Sequence, residues 1–200
     1  LEKMVKTAVK AIENNEVTFG HLHDALFHLN SLDQRRFLSC SEIQERYSAA
    51  ADTAVERVRE EKGTNIQREW ILAIIKQETS GIVRPRFEQH ILFRLNRENP
   101  ETDFAELRLR SMSIGLGQIM GFNHKRVGAS SARAMLCSKE TDQVLYIPRF
   151  IAGKKDILAK KNPSGSDFRK MARFYNGPAY ESHFYHERLE TWFREFRTLR

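Results

Sequence analysis

The sequence predicts a mainly α-helical protein, on three observations. Apolar residues recur at three- and four-residue spacing through most of the 200 residues, which is the signature of helices with one buried face. That periodicity breaks only between about Gly81 and Asn123, where Pro85, Pro100 and a glycine-rich stretch intervene. A hydrophobic content of 40% suffices for a compact core, with no internal repeat and no low-complexity linker.

The elements follow in order. Val5, Ala8, Val9 and Ile12 form one stripe, and Phe19, Leu22, Leu26 and Leu29 form another behind Thr18 as a cap, so the first residues read as helical hairpins. Ser41-Glu-Ile-Gln44 fits a capping box opening a helix that passes Val55 and Val58 and stops at Gly63. The expected division is a helical extension over 1–62, packed on a larger domain over 63–200. The next helix carries Ile71, Ile74 and Ile75 and ends at Glu78, closed by Ser80-Gly81. Loops, short helices and a small hairpin are expected near 82–121. Helices then resume over Ser131–Leu136, over Val144–Lys160 with a kink at Pro148, over Asp167–Phe174, and from about Phe184 to Thr198.

Thirty-three Lys and Arg against twenty-six Asp and Glu give a net charge of +7, which favours acidic partners without choosing among nucleic acid, anionic lipid and wall polymer. Cys40 and Cys137 are the only cysteines, so there is no disulfide framework and no four-cysteine zinc pattern. No apolar run of about eighteen residues occurs, so no membrane span is expected. The start Leu-Glu-Lys-Met-Val has no secretory apolar stretch and begins without Met, as in a domain excised from a longer protein.

Glu78 stands where helical spacing calls for another hydrophobe. A carboxylate on an apolar stripe is partly desolvated, and one in the last helical turn faces the negative end of the macrodipole. Both disfavour the charged form, so a raised pKa is expected. A carboxylic acid that keeps its proton near neutral pH is suited to protonating the leaving oxygen of a glycoside. A lone acid on such a stripe is more often a core-flanking residue that reaches water, so further motifs must decide.

Two do. In Ser113-Ile-Gly-Leu-Gly-Gln-Ile-Met-Gly121, the glycines at 115, 117 and 121 are expected to let backbone approach a ligand, and Gln118 offers donor and acceptor to sugar substituents. In Ala172-Arg-Phe-Tyr-Asn-Gly-Pro178, Tyr175 and Asn176 set an aromatic face beside an amide. Glu-Thr-Ser-Gly, Gly-Leu-Gly-Gln-Ile-Met and Phe-Tyr-Asn-Gly-Pro, in this order, resemble the lysozyme-like superfamily of goose-type lysozymes and soluble lytic transglycosylases, which show Glu-Ser, Gly-Leu-Met-Gln and Ala-Tyr-Asn motifs. Pro85-Arg-Phe-Glu-Gln-His-Ile-Leu-Phe-Arg-Leu95, Gln118-Ile-Met-Gly-Phe-Asn123 and Tyr175-Asn-Gly-Pro178 are similar to the N-acetylmuramidase family of phage endolysins and bacterial wall hydrolases. The resemblance spans about 66–195. It departs at Thr79, where the superfamily has Ser, and at Phe174, where it has a small residue.

The resemblance implies a lysozyme-like fold and a muramidase that cleaves the MurNAc–GlcNAc β-1,4 bond of peptidoglycan. Glu78 takes the place of the catalytic acid, and Gln118, Tyr175 and Asn176 those of the substrate-binding residues. Glu88 is the first candidate for a second carboxylate, with an ion pair to a neighbouring Arg or His as the alternative; Glu101, Asp103 and Glu106 follow. A lytic transglycosylase giving 1,6-anhydro products and a non-catalytic wall-binding module are the other readings. No metal or organic cofactor is expected, because neither His21, His23 and His28 nor His183 and His186 have ligand spacing. His90 is expected to make a supporting hydrogen bond. Lys154, Lys155, Lys160, Lys161, Arg194, Arg197 and Arg200 form a basic surface better suited to an anionic wall than to DNA. Phe184, Tyr185, Trp192, Phe193 and Phe196 are expected to face the core. The expected partners are glycan strands and, in an interbacterial toxin effector, a protein inhibitor or immunity protein, with no nucleic acid. The expected place of action is the periplasm and wall of a target bacterium, reached through phage lysis machinery or a secretion system.

Overall fold

The computed structural model describes residues 36–199 together with Lys10, so the stripes and histidines expected before residue 36 lie outside the described residues, as does Arg200. Elements are numbered here along the described residues. Helix α1 (Cys40–Lys62) begins at Ser39, whose side chain accepts from the Glu42 backbone while Glu42 reaches back to Ser39. The capping box is thus Ser39–Glu42 rather than Ser41–Gln44: the Ser39 backbone is extended, as a cap requires, and Ser41 is already helical. Cys40, Ile43, Tyr47, Ala51, Ala54 and Val58 form its buried face. The helix stops at Gly63, whose left-handed backbone (φ 60°) donates to Arg59 O.

Helix α2 (Arg68–Glu78) is buried from Glu69 to Ile75 and runs through the core of the described unit. Around it pack α1, α6 (Glu140–Ile151) and α9 (Tyr185–Thr198). Trp70 meets Phe168 of α8 (Gly165–Asn176) at 5.0 Å and Phe193 of α9 at 4.8 Å between ring centres. Such rings bury large apolar areas and tie three helices to one point. The α1 face shares this core, and the compact unit runs from Arg36 onward. The expected boundary at 62/63 falls at Gly63, which ends a helix of that unit.

The region 82–121 holds short elements. Strands β1 (Arg86–Phe87), β2 (Met112–Ile114) and β3 (Ile119–Met120) form an antiparallel sheet in that order, with Arg86 opposite Ser113 and Ile114 opposite Ile119. Between β1 and β2 lie α3 (Gln89–Glu98) and α4 (Phe104–Arg110), which share a small core of Leu92, Leu95 and Leu107. Helix α5 (Ala132–Leu136) follows a cap at Ser131. The helix expected from Val144 to Lys160 instead stops at Ile151 and resumes as α7 (Lys155–Leu158). The break falls beside Gly153, a poor helix former, while Pro148 stays inside α6. Helix α8 has its own capping box, Ser164–Asp167, and ends at Gly177 in the positive-φ region (φ 87°). Phe184 departs from the expected core-facing set, being 61% exposed, whereas Tyr185, Phe193 and Phe196 are buried. Cys40 is buried and Cys137 exposed, and both are free.

Candidate active site

Glu78 is the last residue of α2, and what holds it is a network converging on the turn between β2 and β3. The Thr79 hydroxyl donates to Leu116 O at 3.0 Å, joining the end of α2 to that turn. Gln143 of α6 accepts from Leu116 N at 3.2 Å and donates to Ser138 O at 3.0 Å. Tyr175 of α8 donates to Gly117 O at 2.7 Å. Gln118 donates to Gly115 O at 2.9 Å and accepts from the Ser113 hydroxyl at 3.0 Å. Side chains at the end of α2 and on two further helices therefore brace one four-residue turn. Thr79 keeps the hydroxyl of the Ser it replaces, and that hydroxyl makes the brace.

This changes the reading of the glycines. An added Cβ at Gly117 would lie 2.7 Å from Ile147 Cγ1 and from the Tyr175 hydroxyl, and one at Gly121 would lie 2.3 Å from Leu109 O. These two positions are small to let protein pack on protein, rather than to admit a ligand. Among the described residues, three non-glycines have left-handed backbone: Ser80, Gln118 and Phe184 (φ 45°, 46° and 51°). They lie just after Glu78, within the turn, and just before Tyr185. Conformations of this kind persist only where surrounding structure enforces them, and they concentrate at functional sites.

The carboxyl of Glu78 lies deep among protein atoms, yet the residue is only partly buried, so it is desolvated but reachable. Desolvation pushes its pKa up to about 7 from 4.5, against a hydrogen bond from Tyr185 and the charges of Arg86 and Arg188, which favour the anion. The Tyr185 hydroxyl donates to Oε1. Neither arginine is bonded to the acid: Arg86 pairs with Glu88 at 2.6 Å and Arg188 donates to His183 O at 2.7 Å. Burial, then the nearby Glu78 charge, lift Tyr175 and Tyr185 well above the usual phenol range. Both hydroxyls thus stay protonated donors beside the acid.

The residues singled out in the sequence part into two groups. Glu78 and Tyr175 sit together, with Gln118 in the turn braced by Tyr175. Asn176 is exposed at the end of α8. Glu88 lies at the start of α3, bonded to Arg86 and with His90 Nδ1 at 3.7 Å, the ion-pair alternative raised for it. Among the weaker candidates, Asp103 caps α4 and Glu106 pairs with Arg110 at 2.9 Å. Much of the expected basic surface is tied locally: Lys160 pairs with Asp167 at 2.7 Å, Arg194 with Glu190, and Arg197 donates to Asn162 at 2.8 Å. Tyr185 and Thr79 were not legible as site residues, since a buried Tyr opening a helix and a Thr ending one look like ordinary packing and capping.

A buried helix ends here in a desolvated acid beside a braced turn, an arrangement able to present a proton donor. The fold is shared with the Burkholderia AP3 phage endolysin, whose crystal structure matches at a TM-score of 0.53 and 24% identity, over 75% of this chain and 71% of that one. Residues 102–197 match the N-acetylmuramidase family model, a segment that takes in Gln118, Tyr175, Asn176 and Tyr185 and begins downstream of Glu78. The protein is a muramidase-type peptidoglycan hydrolase. No curated protein matches the chain. Among the described residues no helix is long and apolar enough to cross a membrane.

Proposed function

We propose that the protein cleaves the MurNAc–GlcNAc β-1,4 bond of peptidoglycan with Glu78 as general acid. The observation that carries this reading is the desolvated, reachable carboxyl of Glu78, its pKa pushed up to about 7 and, among the described residues, bonded to no cation. Its proton passes to the glycosidic oxygen as the C–O bond breaks, and the carboxylate formed remains bonded to Tyr185. Gln118 has one N–H and one lone pair to spare for an acetamido group beyond its bonds within the turn, and Asn176 offers an exposed amide at the end of α8.

The bond from Arg86 to Glu88 suits a charge-positioning role better than nucleophilic attack, because a nucleophile held by a guanidinium is blunted. Water attack, with the acetamido group of the substrate stabilising positive charge, then gives hydrolysis. Attack by the muramyl 6-hydroxyl instead gives a 1,6-anhydro end. Mass analysis of muropeptides released from purified sacculi distinguishes the two, and a mass gain of one water per cleavage is expected. Wild type is expected to clear sacculi and Glu78→Gln to bind without clearing; clearing by Glu78→Gln discards this assignment. Action at the wall of a target bacterium fits delivery by phage lysis machinery or a secretion system, and as an interbacterial effector the enzyme would meet a protein inhibitor in the producing cell.

A further inference from the structure

We propose that Tyr185 is a positioning residue for the proton donor: its hydroxyl claims Oε1 of Glu78 and leaves the transferable proton on Oε2, the oxygen left to face the substrate. The inference rests on Glu78 being the general acid. A protonated carboxyl has one O–H and keeps acceptor capacity on its other oxygen. Because Tyr185 donates to Oε1, the two oxygens are no longer equivalent.

The donor is held rigidly. Tyr185 and Trp192 lie seven residues apart on one face of α9, and their polar atoms reach successive residues of α2: Trp192 Nε1 donates to Gln77 Oε1 at 3.3 Å and Tyr185 donates to Glu78. Between and beyond them, Leu189, Phe193 and Phe196 are buried in the core. The charged and titratable groups facing Glu78 are Tyr185 and Arg188 of α9, Tyr175 of α8 and Arg86 of β1. The last three are bonded elsewhere, to His183 O, Gly117 O and Glu88. The Tyr185 bond strengthens as the proton leaves Glu78, because a bond to an anion is stronger than one to a neutral acid. It therefore acts on the chemical step more than on binding.

The test measures kcat and KM across pH on soluble peptidoglycan fragments, using the full chain as wild type, Tyr185→Phe, Trp192→Phe and Glu78→Gln. Tyr185→Phe should lower kcat on the order of 10- to 100-fold, leave KM unchanged, and move the alkaline limb to higher pH, since the bond that favours the anion is gone. Trp192→Phe, which loses the neighbouring bond on the same helix face, should leave the limb in place. An unmoved limb in Tyr185→Phe, or the same movement in Trp192→Phe, overturns the role of Tyr185 while the general acid stands. Turnover by Glu78→Gln overturns the general acid itself. Should Tyr185→Phe fail to fold, 3-fluorotyrosine incorporated at position 185, a stronger donor of nearly the same shape, must move the limb to lower pH; no movement overturns the proposal.

Discussion

Glu78 is held in a setting where its charged form is disfavoured, and that setting has opposite consequences for catalysis and for stability. As the proposed general acid, Glu78 must carry its proton for catalysis, so kcat is expected to fall as pH rises through about 7. A pH–kcat profile on soluble glycan fragments checks this. For stability, the folded protein keeps a proton between the ordinary value of 4.5 and about 7 that the unfolded chain has released. Stability is thus full below the lower value, is lost as pH rises through the upper one, and stays reduced beyond it. Glu78→Gln should therefore raise the melting temperature at pH 8 and have little effect at pH 4, a gain on the order of 2 kcal/mol. Thermal melts of both proteins at the two pH values measure it. The position of this acid was legible because a charge interrupts an apolar stripe. Tyr185, 107 residues downstream of it, was not, since nothing local marks which buried phenol reaches across to another helix.

At the scale of elements, the turn from Gly115 to Gln118 owes its shape to side chains from α2, α6 and α8. Gly117→Ala places a methyl against Ile147 and the Tyr175 hydroxyl, so it should displace the Tyr175 bond. The expected result is a loss of about 1–3 kcal/mol in stability together with most of the activity, read from denaturant melts and sacculus clearing. Thr79→Val keeps the shape and removes the link to Leu116 O; Thr79→Ser keeps the link and should keep the activity. At the start of α1, Ser39→Ala should cost about 1 kcal/mol and Ser41→Ala much less, because Ser39 is the cap. The helices themselves were legible from periodicity, and Gly63 and Gly177 from their stop chemistry. The capping box was misplaced by two residues because Ser39 and Ser41 both precede a residue able to complete the motif, and only backbone geometry separates them. The glycine-rich motif was visible as a motif, but its physical reason lay in distant residues, Leu109, Ile147 and Tyr175.

At the scale of the whole molecule, one apolar helix, α2, carries the acid at its end while other elements supply what surrounds it: α9 brings Tyr185 and Arg188, α8 brings Tyr175, and the sheet brings Arg86. The mainly helical class was legible because helical contacts follow local spacing; the convergence of α8, α9 and the sheet on Glu78 was not, because it depends on pairings far apart in sequence. The face of α1 is part of the same core. A chain beginning at Arg36 is therefore expected to fold cooperatively, whereas one beginning at Gly63 loses Ile43, Tyr47, Ala51, Ala54 and Val58 from that core and should not; circular dichroism melts of the two compare them. The account turns on one protonation state, and a carbon-13 NMR titration of the Glu78 side-chain carboxyl, assigned by its loss in Glu78→Gln, reads that state most directly. A midpoint near pH 7 is predicted; a midpoint near the ordinary 4.5 would contradict it.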